Sequence, residues 1–251
     1  MERIALLSDI HGNMPALEAV LADIDRRGIT RLFCLGDLVG KGPHSERAVD
    51  ICRERCERVI RGNWDNGFGR KPTETATQGW HKERLGPERL AYLRDLPNTI
   101  DVMMSGQRVR LVHASPRGVY HRVRQRDPVE VLESMFESTD FTGYGFDPDV
   151  VGYGDIHDAY LRSFHHRTLF NVGSVGNPLD QTRACYAVLD GSSNGTAAGT
   201  ADDAPLAISL VRVPYDIERA IREAADEGMP DLEAYVNELR TARYRGLTPV
   251  S

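Results

Sequence analysis

RIALLS (residues 3–8), MPALEAVLADIDRRG (14–28) and RLFCL (31–35) decide the fold class: a short apolar run, a helical repeat and a second short apolar run follow in quick succession. In the middle segment Leu17, Val20, Leu21 and Ile24 recur at three- and four-residue spacing. Pro15 stands where a first helical turn tolerates it, and Gly28 follows the end. The unit reads as β-α-β. A second helical stretch opens at Pro43 and runs to Cys56, and the apolar ERVIRG (57–62) makes a third strand. This alternation is that of an α/β protein with parallel strands.

Further along, residues 66–82 carry no clear period and read as a loop, whereas Leu90 and Leu93 place a helix over 86–96 before Pro97. Strands are expected at 99–104 and 107–113, joined by the tight turn Ser105-Gly106. A helix near 128–137 and strands at 149–153, 167–172, 184–190 and 206–213 follow. The Gly-, Ser- and Ala-rich GSSNGTAAGTADDAP (191–205) is expected to be a mobile loop between two hairpin strands. Residues 216–243 read as C-terminal helices broken at Gly228 to Pro230. With no repeat or linker to divide it, the chain 1–251 is expected to form a single domain.

Composition narrows the function classes. Of 251 residues, 41% are hydrophobic, 27% charged and 7% aromatic, which excludes disordered, collagen-like and coiled-coil chains. With 31 Lys plus Arg against 37 Asp plus Glu, the net charge of -6 disfavours nucleic acid and anionic membranes as partners. The apolar run after the N-terminus is too short for a signal-peptide core or a membrane span, so a cytoplasmic setting is expected. Cys34, Cys52, Cys56 and Cys185 have no CxxC spacing and read as reduced thiols.

Chemistry-bearing residues gather where strands end. Asp9-Ile10-His11 follows the first strand, Gly36-Asp37 the second, Gly62-Asn63-Trp64-Asp65 the third, His113 the hairpin, and Gly154-Asp155-Ile156-His157 the next strand. Open α/β sheets bind ligands beyond the carboxyl ends of their strands, so these separated segments can converge on one site. Carboxylates, imidazoles and an amide together suit divalent Mn, Fe or Zn.

SDIHGN, LGDLVGKGP, RGNWD, LVHASP and GDIHDAY followed by NVGSVGNP resemble the calcineurin-like metallophosphoesterase superfamily, in particular its small bacterial and archaeal phosphodiesterases related to diadenosine tetraphosphatase and protein phosphatase 2A. The resemblance runs from residue 3 to about residue 190. It implies an α/β fold of four layers, α-β-β-α, in which two mixed sheets are flanked by helices. It also implies two divalent cations, manganese first, with Fe, Zn, Ni or Mg as alternatives. Asp9, His11, Asp37 and His157 would hold one; Asp37 as bridge, Asn63, His113 and Asp155 would hold the other. Asp37, Asn63 and His113 carry over as catalytic residues. The implied reaction is hydrolysis of a phosphate diester or of a nucleotide-like phosphoanhydride by metal-activated water, which needs no side-chain nucleophile. That agrees with the lack of a GxSxG or Walker A segment.

Two positions depart from the family pattern. Asp155 stands where the first histidine of GHxH is expected, and is either a ligand or a carboxylate that orients His157. Trp64 stands where many members carry a histidine that protonates the leaving group, and is a candidate substrate contact with Asn13 and Arg117. Arg117, Arg122, Arg124 and Arg126 are either a solvated face or a rim that attracts a small phosphorylated substrate. The other histidines (His44, His81, His121, His165 and His166) read as structural or surface residues. Two alternatives stay open: a serine/threonine protein phosphatase, and a metal-poor protein-interaction scaffold on the same fold.

Overall fold

A computed structural model describes residues 1–192 and 204–246 of the chain. Its strands are β1 (Glu2–Leu7), β2 (Arg31–Cys34), β3 (Arg58–Val59), β4 (Thr99–Met104), β5 (Gln107–Val112), β6 (Val150–Tyr153), β7 (Tyr160–Phe164), β8 (Arg167–Asn171), β9 (Ala184–Gly191) and β10 (Ala207–Val213). The helices are α1 (Met14–Arg26), α2 (Ser45–Arg55), α3 (Asn63–Arg70), α4 (Ala76–Asp95), α5 (Val129–Glu133), α6 (Ile217–Asp226) and α7 (Leu232–Thr241), with a 3-10 turn at Ser134–Phe136.

The strands form two five-stranded sheets, ordered β10-β9-β1-β2-β3 and β4-β5-β6-β8-β7. Strand alternation assigns each side chain to a layer. Along β1, Ile4 and Leu6 point into the core between the sheets with Phe33, Val109, Leu111, Val150, Phe170 and Leu189, whereas Ala5 and Leu7 point outward against α1 and α2. The outer face of the second sheet presents Val112, Val151, Tyr153 and Leu169 to Leu132, Met135 and Phe136. This is the expected four-layer α-β-β-α sandwich, and each fully buried Leu or Ile in it contributes about 1.5–3 kcal/mol.

β1, β2 and β3 run parallel to one another, and so do β5, β6 and β8. Their carboxyl ends carry the motif residues. Asn13 starts α1 by accepting from Ala16 N, and α1 packs against α6 of the C-terminal helix pair.

The structure corrects the sequence reading in two places. Residues 66–82 are not a loop: most belong to α3 and to the first half of α4, which is capped by Thr75 and kinked at Gly86 (φ +67°). In α4, Trp80 packs against the cluster that Ala220, Ala224 and Tyr235 of α6 and α7 help to form, a long-range contact that no local period announces. The second omission is β7, whose pattern is blurred by exposed Leu161 between buried Tyr160 and Phe164. Of the 191–205 segment expected to be a mobile loop, residues 193–203 lie outside the described residues. The break at Gly228 falls where expected, between α6 and α7.

Candidate metal centre

Asp9, His11, Asp37, Asp155 and His157 all have left-handed backbone, with φ between +49° and +63°. Only a few per cent of residues other than Gly enter that region, so five held there in one site mark strain imposed by the surrounding loops. The loops brace one another. Asp9 N donates to Gly36 O, His11 N to Asp37 O, and Gly154 N to His113 O, at 2.8–3.0 Å. The close approach leaves no room for side chains at two positions. A Cβ on Gly62 would collide with Asp37 Oδ1, and one on Gly154 with Ser8 Oγ and Asp9 Oδ2.

Asp65 ties two of these loops together. Its carboxylate, fully buried, accepts from Asp37 N (2.7 Å), Leu38 N (3.0 Å) and Gly62 N (2.9 Å). Burial and the charge of Asp37 push its carboxyl up to about 7, against those three amide donors.

The three motif imidazoles share one arrangement. Nδ1 of His11 faces Val39 O at 2.9 Å, that of His113 faces Leu35 O at 2.8 Å, and that of His157 faces Asn177 O. A carbonyl only accepts, so each Nδ1 carries the proton and each Nε2 lone pair points into the site. There the acceptors crowd. His157 Nε2 lies 3.1 Å from Asp9 Oδ1 and 3.3 Å from His11 Nε2, and His11 Nε2 lies 3.7 Å from Asp37 Oδ2. On the other side His113 Nε2 lies 3.5 Å from Asp37 Oδ1 and 3.9 Å from Asp155 Oδ1.

These atoms fit a cation. Asp9 Oδ1 is buried and has no hydrogen-bond partner. Asp9, His11 and His157 form one group able to hold a metal ion, and Asp9, Asp37 and His113 form a second. Asn63 Oδ1, 3.0 Å from His113 Nε2, faces acceptors only; turned over, its amide would donate to Asp37, His113 and Asp155 instead. The orientation with oxygen inward is the one a cation requires. Burial pushes His11 well below its ordinary value, helped by His157 and Lys41, which keeps it a neutral ligand. Burial would raise Asp9, yet the imidazoles facing it, His157 foremost, hold it below the usual carboxylate range. His113 is driven the other way: against burial, Asp37, Asp9 and Asp155 push it well up, so the carboxylates demand positive charge at this point.

With this geometry, the family comparison is decisive. Residues 2–194 match the calcineurin-like phosphoesterase superfamily domain. The chain belongs to that superfamily. The uncharacterised protein MJ0912 of Methanocaldococcus jannaschii is 31% identical over 254 residues, covering 91% of this chain and 94% of its own. A metallophosphoesterase from Sphaerobacter thermophilus has the same fold, with a TM-score of 0.72, 24% identity and coverage of 96% of this chain and 99% of its own. So does hypothetical protein PH1004 from Pyrococcus horikoshii OT3, with a TM-score of 0.74, 21% identity and coverage of 99% and 100%. As a calcineurin-like phosphoesterase, the chain is by class a hydrolase of phosphate esters, and α6, α7 and the residues beyond them lie outside the matched domain.

The superfamily motifs cover Asp9, His11, Asp37, Asn63, His113 and His157, Asp155 takes the place of the first GHxH histidine, and the fold brings all seven together. Both oxygens of Asp155 are also gripped by Arg122, at 2.8 Å each. Trp64 lines the cleft over the centre, edge-on to His11 at 5.5 Å and stacked on Phe68, with its backbone N donating to Asp37 Oδ1. Asn13 and Arg117 are not brought into the cleft. Asn13 caps α1 and donates to Gly176 O, and Arg117 pairs with Glu137 on the surface.

Sequence reasoning missed a buried network behind the centre. Asn177, whose carbonyl orients His157, accepts from Lys41 Nζ at 2.7 Å and donates to Glu238 Oε2 at 3.1 Å. Glu238 of α7 lies 3.5 Å from Lys41 and is forked by Arg245, which hold it at about 2 against burial. Lys41 and Asn177 stand inside LGDLVGKGP and NVGSVGNP, so the motif was a signal for them; Glu238 had none.

Among the described residues no helix is long and apolar enough to cross a membrane.

Proposed function

We propose that this phosphoesterase hydrolyses phosphodiesters or nucleotide-like phosphoanhydrides at a centre of two divalent cations, manganese foremost. One observation carries the reading: three imidazoles, each fixed through Nδ1 on a backbone carbonyl, turn Nε2 onto buried carboxylates that gather into two groups able to hold a cation. Asp9, His11, Asp37 and His157 would hold one cation, and Asp37, Asn63, His113 and Asp155 the other. Cations bound there would lower the pKa of water and neutralise charge developing on the phosphoryl oxygens.

The remaining work belongs to the chain. Asp65 fixes Asp37 through its backbone, and Asn177 fixes His157. Trp64 stands in the cleft where a proton donor would serve the leaving group, and indole titrates at no accessible pH. The reaction therefore favours groups that depart as stabilised anions, a phosphate of an anhydride or a nitrophenolate, over serine alkoxide. This disfavours the protein-phosphatase alternative. Four free thiols suit a cytoplasmic setting.

The test is metal analysis of the purified protein, followed by assay of the manganese-reconstituted protein on bis(4-nitrophenyl) phosphate. Two bound cations with turnover are expected. No bound metal and no turnover with any divalent ion would instead favour the interaction scaffold.

A further inference from the structure

The cleft of about 610 Å³ that opens over the centre has two walls that the catalytic reading leaves unused, the 122–126 loop and the tail after α7. Together with Lys41 they line it with Arg122, Arg124, Arg126, Arg243 and Arg245. These six cations face three carboxylates, Asp37, Asp155 and Asp158, in a chain whose overall net charge is -6. The local sign is reversed.

The cations are not equivalent. Arg122 is spent on Asp155, while Arg245 and Lys41 share buried Glu238. Among the described residues, the guanidinium groups of Arg124, Arg126 and Arg243 have neither hydrogen bond nor ion pair, and all three side chains are exposed to the cleft. An unpaired arginine presents a planar fork matched to phosphate oxygens, and three around one concavity give a focused positive potential. The tail is held in place, since Glu238 accepts from the backbone N and the side chain of Arg245, and Tyr244 packs over Lys41 Nζ at 5.7 Å.

We propose that Arg124, Arg126 and Arg243 form a second anion subsite, which binds a phosphate group of the substrate beyond the scissile one. The inference rests on the phosphohydrolase reading and deepens it: the substrate is a phosphoanhydride with at least two phosphates. Arg124 and Arg126 lie within the superfamily domain at 2–194 and Arg243 beyond it, so the C-terminal segment completes the subsite rather than forming it alone.

The test has two arms. In the first, calorimetry measures inorganic pyrophosphate binding to the protein without added metal, for wild type, the double variant Arg124→Ala/Arg126→Ala, and Arg243→Ala. Arg243→Ala is expected to weaken binding about tenfold, the scale of one lost charge-assisted contact, and the double variant about a hundredfold. Arg222→Ala, outside the cleft, controls for net charge. In the second, kcat/KM is compared between a dinucleoside triphosphate and bis(4-nitrophenyl) phosphate on the manganese-loaded protein. The ratio between the two substrates is expected to fall about tenfold in Arg243→Ala and about a hundredfold in the double variant. Unchanged pyrophosphate binding, or a loss equal to that in Arg222→Ala, overturns the subsite, as does an unchanged substrate ratio. A wild type that hydrolyses neither substrate defeats the proposed function instead, and the calorimetry still decides the subsite.

Discussion

The two halves of the candidate metal centre use the same residue types in different electrostatic settings. Around Asp9, His11 and His157 every side chain is buried, the ligand atoms lie 3.1–3.9 Å apart, and among the described residues no guanidinium hydrogen-bonds to them. Around Asp37, Asn63, His113 and Asp155 the burial is less complete, with Asn63 half-buried, and Asp155 divides itself between His113 and the fork of Arg122. A ligand set is therefore not defined by residue type alone. A carboxylate already paired with arginine offers less charge to a cation, so the second position should be the weaker and more exchangeable one.

The most damaging way to test the comparison is at the residue both halves share. Asp37→Asn should release metal from both positions and lower turnover about 10³-fold, the loss expected when a bridging carboxylate goes. Metal analysis alongside the rate checks it; near wild-type content in either half would mean that Asp37 serves only the other.

A second test addresses the open half through the leaving group. With Trp64 above the centre, wild-type rates on a series of aryl and alkyl phosphodiesters should fall steeply as leaving-group pKa rises. Trp64→His should recover about 10²-fold on the poorest member, at the lower end of what general acid catalysis supplies. A flat series in the wild type would show that another group delivers the proton.

Arg122 sharpens the contrast more gently. Arg122→Ala frees Asp155 and removes a cation from beside the second position, so its manganese affinity should rise about tenfold, modest because the guanidinium is partly solvated. The first position should change less, because Arg122 acts on Asp9 only through its charge whereas it forks Asp155 directly. Asp155→His in that background should move metal preference from Mn towards Zn or Ni, because imidazole is the softer ligand. An unchanged preference would make Asp155 an orienting group rather than a ligand.

The smallest effect on the centre is expected from a histidine away from both halves. His81, buried between Phe68 and Trp80 with Nδ1 at 3.2 Å from Ser45 Oγ, is pushed down by burial to about 4 from 6.5. A lowered histidine pKa means that the unfolded chain takes up the proton first. Stability is full above pH 6.5 and is lost as pH falls towards 4, by roughly 3 kcal/mol at the limit. Denaturant titrations across that window should show a shallower slope in His81→Gln, with metal content at neutral pH unaltered.

Much of the centre was legible because its ligands follow strand ends inside short motifs. Asp9 and His11, Asp37, Asn63, His113, and Asp155 with His157 each sit within a few residues of a β-strand whose apolar run is visible in one dimension. The expected contacts of Asn13 and Arg117 fared differently because side-chain direction is not written in a motif: Asn13 turned to its helix and Arg117 to Glu137.

By itself, then, the sequence determined the β-α-β beginning and the strand-end placement of the chemistry-bearing residues, since apolar period and strand-end position are local properties, whereas the two sheets and the ligand set were implied by the resemblance to the superfamily. Only the tertiary structure decided that 66–82 is largely helical, that Arg122 grips Asp155 across 33 positions, and that Glu238 reaches Asn177 across 61. Those pairings join elements from different layers. Their partners are chosen by burial and charge balance after the sheets have packed, and no spacing along the chain encodes that choice.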